Sequence, residues 1–236
     1  MAHLTAETFA RDVAAALGAR LGALLLYGSA ARGTPEPARK GLNTLLVCDA
    51  VDEALFAALE PAVRSWTRAG HPAPLIFTEQ ELRDSSDAFA IEYEDIRQTH
   101  RLLAGRDPWP GITVRREDLR RQLEFELVGK LVRLRQAYAA SRSDPKRLTE
   151  VVVGSASGFF TMLRSMLRLV GRTVPAEPEE VVREAAALAG FPASAVDDLV
   201  AHARGRAKLT LAARDPRAAA YLAVVARTAE FVNGLT

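Results

Sequence analysis

Apolar and polar positions in the first hundred residues switch repeatedly between a helical and a strand-like period. Phe9, Val13, Ala16 and Leu17 recur at helical spacing between Thr8 and Ala19, and Thr5 stands where an N-cap hydroxyl belongs. Leu21 to Tyr27 is an apolar run stopped by Gly28-Ser29, the pattern of a buried strand. Gly41 to Cys48 predicts a second strand, reached through a loop that contains Pro35 and Pro37. Val51 to Ala69 then places Leu55, Leu59, Val63 and Trp66 on one helical face. Pro74 to Thr78 predicts a third strand, followed by a short helix from Glu79 to Arg83 that Asp84-Ser85-Ser86-Asp87 breaks. Phe89 to Arg97 reads as a fourth short strand or extended segment, and His100 to Leu103 as a fifth. Strands alternating with helices indicate an α/β layer domain with helices backing a sheet.

The pattern changes after Gly105-Arg106-Asp107-Pro108-Trp109-Pro110-Gly111, a Pro/Gly-rich stretch expected to link two domains. Only helical periods follow. Glu117 to Ala140 carries Leu119, Leu123, Leu127, Leu131, Leu134 and Tyr138 along one stripe. Asp144-Pro145 caps a helix that runs to about Val170, Pro178 opens one ended by Gly190, Ala193 to about Arg204 makes another, and Pro216 opens the last, to Val232. The expected organisation is an α/β domain over 1–105, a linker over 106–115 and an all-α helical bundle over 116–236. Gly154-Ser155-Ala156-Ser157-Gly158 interrupts the second bundle helix with poor helix formers, which points to the close approach of another helix.

Bulk properties narrow the function classes. The formal net charge is only +2, so a dedicated nucleic-acid binder, which carries a basic excess, is not expected. Cys48 is the sole cysteine, which excludes an internal disulfide and a four-thiolate zinc site. Glu7, Arg11 and Asp12 interrupt the N-terminal apolar pattern, unlike the core of a signal peptide. No uncharged apolar stretch approaches the ~20 residues of a membrane-spanning helix. The expectation is a cytoplasmic protein without a membrane partner.

Gly28-Ser29 is the first candidate for chemistry. Glycine lets the backbone approach a ligand, and a hydroxyl with free N–H groups after a strand can hold a phosphate. Arg32 adds positive charge a few residues on. Tyr27-Gly28-Ser29-Ala30-Ala31-Arg32-Gly33, a loop and a returning strand together resemble the signature of the nucleotidyltransferase superfamily. That family's turn reads Gly-Ser-x-x-x-Gly or close to it, and its next strand carries two aspartates one residue apart. The resemblance covers the region to about Gly105. It implies a nucleotidyltransferase-like mixed-sheet domain followed by a helical bundle like those appended to bacterial members.

The same resemblance sets the family's Asp-x-Asp pattern on Leu42-Asn43-Thr44, so the two acid positions hold Leu42 and Thr44. Those aspartates bind two Mg²⁺ ions, and two-metal catalysis needs hard anionic oxygen ligands. Leu42 has none, Thr44 has a neutral hydroxyl, and a one-residue slip supplies only Asn43. Glu36, Asp49, Glu92, Glu94 and Asp95 are the other acids within the domain that could be recruited, with Asp95 aligned on the family's later carboxylate. On a strand, Glu92 and Glu94 would share a face. His3, His71, His100 and His202 show no helical pair at metal spacing, so no metal site is expected from them. The leading expectation is a catalytically impaired nucleotidyltransferase-fold protein that binds a nucleotide, a phosphate or a protein partner. The alternatives are an active enzyme, with Mg²⁺ on unusual ligands, that transfers a nucleotide to a small molecule or protein, and a helical scaffold that forms a homo-oligomer or an antitoxin-like pair.

Overall fold

The computed structural model describes residues 4–28, 30–31 and 41–235, and the chain divides into two compact units, Met1–Val114 and Arg115–Thr236. In the first unit the order is α1 (Ala6–Leu17), a 3-10 turn (Gly18–Arg20), β1 (Leu21–Tyr27), β2 (Asn43–Cys48), α2 (Glu53–Arg68), β3 (Leu75–Thr78), α3 (Glu79–Asp84), α4 (Ala90–Gln98) and β4 (His100–Gly105). The sheet order is β3-β2-β1-β4, with β1 antiparallel to both β2 and β4, and β2 parallel to β3. Parallel β2 and β3 need a crossover, and α2 supplies it. Thr5 caps α1 as its position suggested, accepting from the Thr8 N–H at 3.2 Å. Thr78 and Glu81 form a reciprocal capping box at the start of α3.

The side chains of the sheet separate into two cores. One holds Leu24, Leu46 and Cys48 under Phe9, Val13 and Leu17 of α1 and Leu55, Leu59 and Trp66 of α2. Phe9 stacks on Trp66 with ring centroids 4.3 Å apart. The other core holds Leu25, Leu45 and Val47 under Leu82, Tyr93 and Ile96 of the third and fourth helices, with Trp109 and Ile112. A fully buried side chain of this size contributes about 1.5–3 kcal/mol, so both faces of the sheet are stabilising surfaces. At the far end of the strands Arg20 ties the start of β1 to the start of α2, donating to Asp49 at 3.0 Å, to the Ala50 carbonyl at 3.1 Å and to Asp52.

Two expectations change here. Phe89 to Arg97 is helix, not strand, so the described residues form four strands rather than five. The apparent alternation of Phe89, Ile91 and Tyr93 is overridden because Ala90, Tyr93 and Ile96, three apart, are the positions a helix presents together, and Tyr93 and Ile96 enter the second core. The stretch expected to be a linker also contributes to the first unit, since Trp109 and Ile112 are buried in that core.

The second unit contains α5 (Arg116–Ser141), α6 (Pro145–Leu169), α7 (Pro178–Ala189), a 3-10 turn (Ala193–Val196), α8 (Asp197–Ala203) and α9 (Pro216–Asn233). Leu119, Leu123, Leu127 and Leu134 of α5 are buried, and α5 packs on α6 and α9. Leu131 and Tyr138, expected on the same stripe, are only partly buried. Asp144 caps α6 and Asp215 caps α9. Asp215 accepts a two-pronged pair from Arg217 at 3.1 and 2.8 Å, plus the Ala212 and Arg217 N–H groups, which holds its carboxyl well below the usual carboxylate range. The small-residue run in α6 makes room for a side chain rather than for a helix backbone. A Cβ at Gly158 would lie 3.4 Å from Lys130 Nζ, and that amine donates to the Ser155 carbonyl at 2.9 Å. Burial, with Arg133 nearby, pushes the Lys130 amine down from its ordinary value.

Candidate functional site

The site begins where β1 ends. Gly28 has a φ of +82°, a left-handed conformation that a side chain would strain, and the Ala31 N–H returns to its carbonyl at 3.1 Å. The chain turns sharply at this residue, as expected for the Gly28 of the Gly28-Ser29 stop. A Cβ on Gly28 would meet Asn43 Nδ2 at 3.4 Å, so the first residue of β2 lies against the turn. Ser29, Arg32 and Glu36 lie outside the described residues.

Strand register then decides what Leu42 and Thr44 face. Leu26 pairs with Thr44 and Leu24 with Leu46, so Thr44 faces the same way as Leu46 and Cys48, into the core beneath α1 and α2. Thr44 is 1% exposed, and its hydroxyl has no hydrogen-bond partner among the described residues. Leu42 packs against the same apolar core. Its N–H donates to His71 Nδ1 at 3.1 Å, and His71 Nε2 donates to the Leu4 carbonyl at 3.2 Å. These two bonds select the Nε2–H tautomer. The His71 ring lies 3.9 Å from Trp66, centroid to centroid. Gly41 fits because a Cβ there would come within 2.6 Å of the Gly70 carbonyl. An apolar wall with one hydroxyl does not suit Mg²⁺, which takes oxygen ligands and keeps several waters. The residues present do not fit a two-metal centre at 42 and 44.

The polar side chains gather on the opposite face. Tyr27 pairs with Asn43 in β2 and with His100 in β4, so these three lie in one row across the sheet. Burial raises the Tyr27 phenol above its ordinary value, and the charge of Glu92 adds to this, placing Glu92 of α4 over the same end. His100 Nδ1 donates to the Ile96 carbonyl at 2.9 Å, while its Nε2 lies 3.5 Å from Asp107 Oδ2.

Helix formation rearranges the later acids. Glu92 and Glu94 no longer share a face, because two residues in a helix are about 200° apart, whereas Glu92 and Asp95 are neighbours at three residues' separation. Glu94 turns to Arg97 at 2.8 Å and to Gln98 at 2.6 Å. Asp49 belongs to the Arg20 network at the other end of the strand. Among the described residues no group of three or more His, Cys, Asp or Glu side chains could hold a metal ion. His202 Nδ1 accepts the Leu209 N–H at 3.0 Å, and Cys48 is buried with its thiol pushed up by burial, so both are structural. Basic residues at the start of α5 are also engaged: Arg115, its N-cap, and Arg121 both pair with the buried Asp118, and Arg120 pairs with Glu124. Among the described residues no helix is long and apolar enough to cross a membrane.

The row of Tyr27, Asn43 and His100 was not singled out in the sequence. Only Asn43, as the first polar residue of an apolar strand, carried a signal for it. Compared with known proteins, the chain matches no family model, and no curated protein is significantly similar to it in sequence.

Proposed function

We propose that the first unit is a nucleotidyltransferase-like domain that binds a nucleotide or phosphate at the Gly28 turn without two-metal catalysis. One observation carries this reading: Thr44 and Leu42 face an apolar core, whereas Gly28, in its left-handed turn, lies against Asn43 at the polar end of the opposite face. Phosphate recognition by a turn uses backbone N–H groups and hydroxyls, so it is separable from metal chemistry. Gly28, Ser29 and Arg32 would carry it. A ligand held by a few hydrogen bonds and one guanidinium binds modestly, with Kd between about 1 μM and 1 mM.

Calorimetry with ATP tests this in Mg²⁺ and in EDTA. Binding should be nearly equal in the two buffers, Gly28→Val should abolish it, and Arg32→Ala should weaken it. Labelled ATP, GTP, CTP and UTP with Mg²⁺ and candidate acceptors should give no transfer above background. The absence of binding in both buffers would sink the proposal and favour a scaffold. The second reading, an active transferase with unusual ligands, draws on Glu92, whose charge reaches the Tyr27 face. Strongly Mg²⁺-dependent binding that Glu92→Gln removes would replace the first reading with it.

A further inference from the structure

The α5 helix carries apolar side chains on two opposite sides. Leu119, Leu123, Leu127 and Leu134 are buried within the unit. Phe125, Val128 and Val132 lie half a turn away at about 100° per residue. They are exposed, Phe125 to 75%. Their spacing of three and seven residues makes one stripe, the form in which a helix meets another helix. Gly129 lies midway along the stripe at its border and has no side chain to hold a partner backbone away.

Charges border the stripe in a self-complementary order. Glu126 and Arg133 are seven residues apart and return to one edge, and Glu124 and Arg135, eleven apart, return to the other. Glu126, Arg133 and Arg135 form no ion pair among the described residues, and Glu124 is shared with Arg120 at 2.8 Å. The Arg133 guanidinium rests over Gly129, 3.2 Å from where a Cβ would stand, and its flexible stem can swing outward.

We propose that this stripe is the interface with a second copy of the chain, the two α5 helices packing antiparallel and crossing at Gly129. In a two-fold pairing a residue three places before the crossing faces one three places after it, and each edge meets its own counterpart. Glu126 then faces Val132 of the partner subunit, one position from Arg133 of the partner subunit. Glu124, on the other edge, lies level with position 134 and so close to Arg135 of the partner subunit on that same edge. Both carboxylates meet guanidinium groups, and symmetry repeats each pair. A parallel pairing would bring opposite edges together and set Glu126 near Glu124 of the partner subunit and Arg133 near Arg135 of the partner subunit, like charges on like. The inference does not rest on the reading of the Gly28 turn.

Sedimentation equilibrium and light scattering on the full chain test the pairing. The wild type should be a dimer at micromolar concentration. Phe125→Glu should raise the dimer dissociation constant by about 100-fold or more, because it puts charges into the apolar centre. Glu126→Arg and Arg133→Glu should each weaken self-association by about tenfold, since each converts both symmetric attractions into repulsions. Mixed in equal amounts, these two variants should form a heterodimer, because both pairs become attractive again, one with its native sign and one with the sign reversed. All three positions are at least partly exposed, so unchanged thermal unfolding should accompany the loss of mass. A monomeric wild type at all concentrations, a dimer indifferent to Phe125→Glu, or failure of the mixed variants to pair would overturn the proposal.

Discussion

The two faces of β2 differ in what they ask of a side chain. Thr44 and Leu42 face the α1–α2 core, where Phe9, Leu46 and Trp66 leave no polar partner for a hydroxyl. Asn43, one residue along, lies beside the Gly28 turn and in the row with Tyr27 and His100. A shift of one position along a strand therefore separates an apolar interior from a polar edge of the sheet. A carboxylate on the first face would have to be desolvated, whereas on the second it would stay within reach of water and polar groups. The difference teaches that Leu42 and Thr44 fill a packing role in which a carboxylate would be desolvated.

The largest expected effect breaks that comparison if it fails. Thr44→Asp should destabilise the first unit by about 3 kcal/mol or more in urea unfolding, because it buries an unpaired charge in an apolar core. A stable Thr44→Asp protein that gains Mg²⁺ binding would show that residue 44 faces a ligand after all. Gly28→Ala should cost about 1–2 kcal/mol, read in the same assay, since alanine resists the left-handed conformation. Thr44→Val should raise stability by about 1 kcal/mol, because the isosteric methyl removes an unsatisfied buried hydroxyl. A loss instead would reveal a partner for that hydroxyl. Asn43→Asp, on the opposite face, should change stability by no more than about 0.5 kcal/mol.

The smallest effect is a titration. Tyr27 is raised by burial and by Glu92, and Tyr221, in the α9 core, is pushed up to about 12 by burial. A phenol whose folded pKa exceeds its unfolded value favours folding below pH ~10, and that contribution fades as pH climbs through the folded values. Stability should thus decline above pH ~10, with ultraviolet tyrosinate absorbance lagging behind free tyrosine. Glu92→Gln should bring the Tyr27 midpoint down and leave Tyr221 unmoved. Equal movement of both would remove Glu92 from the Tyr27 face.

Much of the local structure was readable from residue order. Thr5 and Asp144 cap helices, Gly28 turns the chain, and the apolar runs at 21–27 and 43–48 are strands. These features depend on near neighbours: a hydroxyl reaches an N–H three residues on, and only glycine enters the left-handed region without strain. Phe89 to Arg97 was misread because a short amphipathic segment fits either period until it is known what it packs on. Tyr93 and Ile96 enter one core together only as a helix.

Strand alternation puts Leu42, Thr44, Leu46 and Cys48 on one side of β2 and Asn43, Leu45 and Val47 on the other. It did not say which side would be roofed by α1 and α2, because both rows are largely apolar and the roof comes from residues distant in the chain. Tertiary packing settled that Thr44 is buried and Asn43 meets the turn, and it brought His71 to the Leu42 N–H and His100 beside Tyr27. Residue types and their periods thus determined the elements and the turn. Which side chains share a site followed only from strand register and helix docking, contacts between residues far apart in sequence that no local pattern encodes.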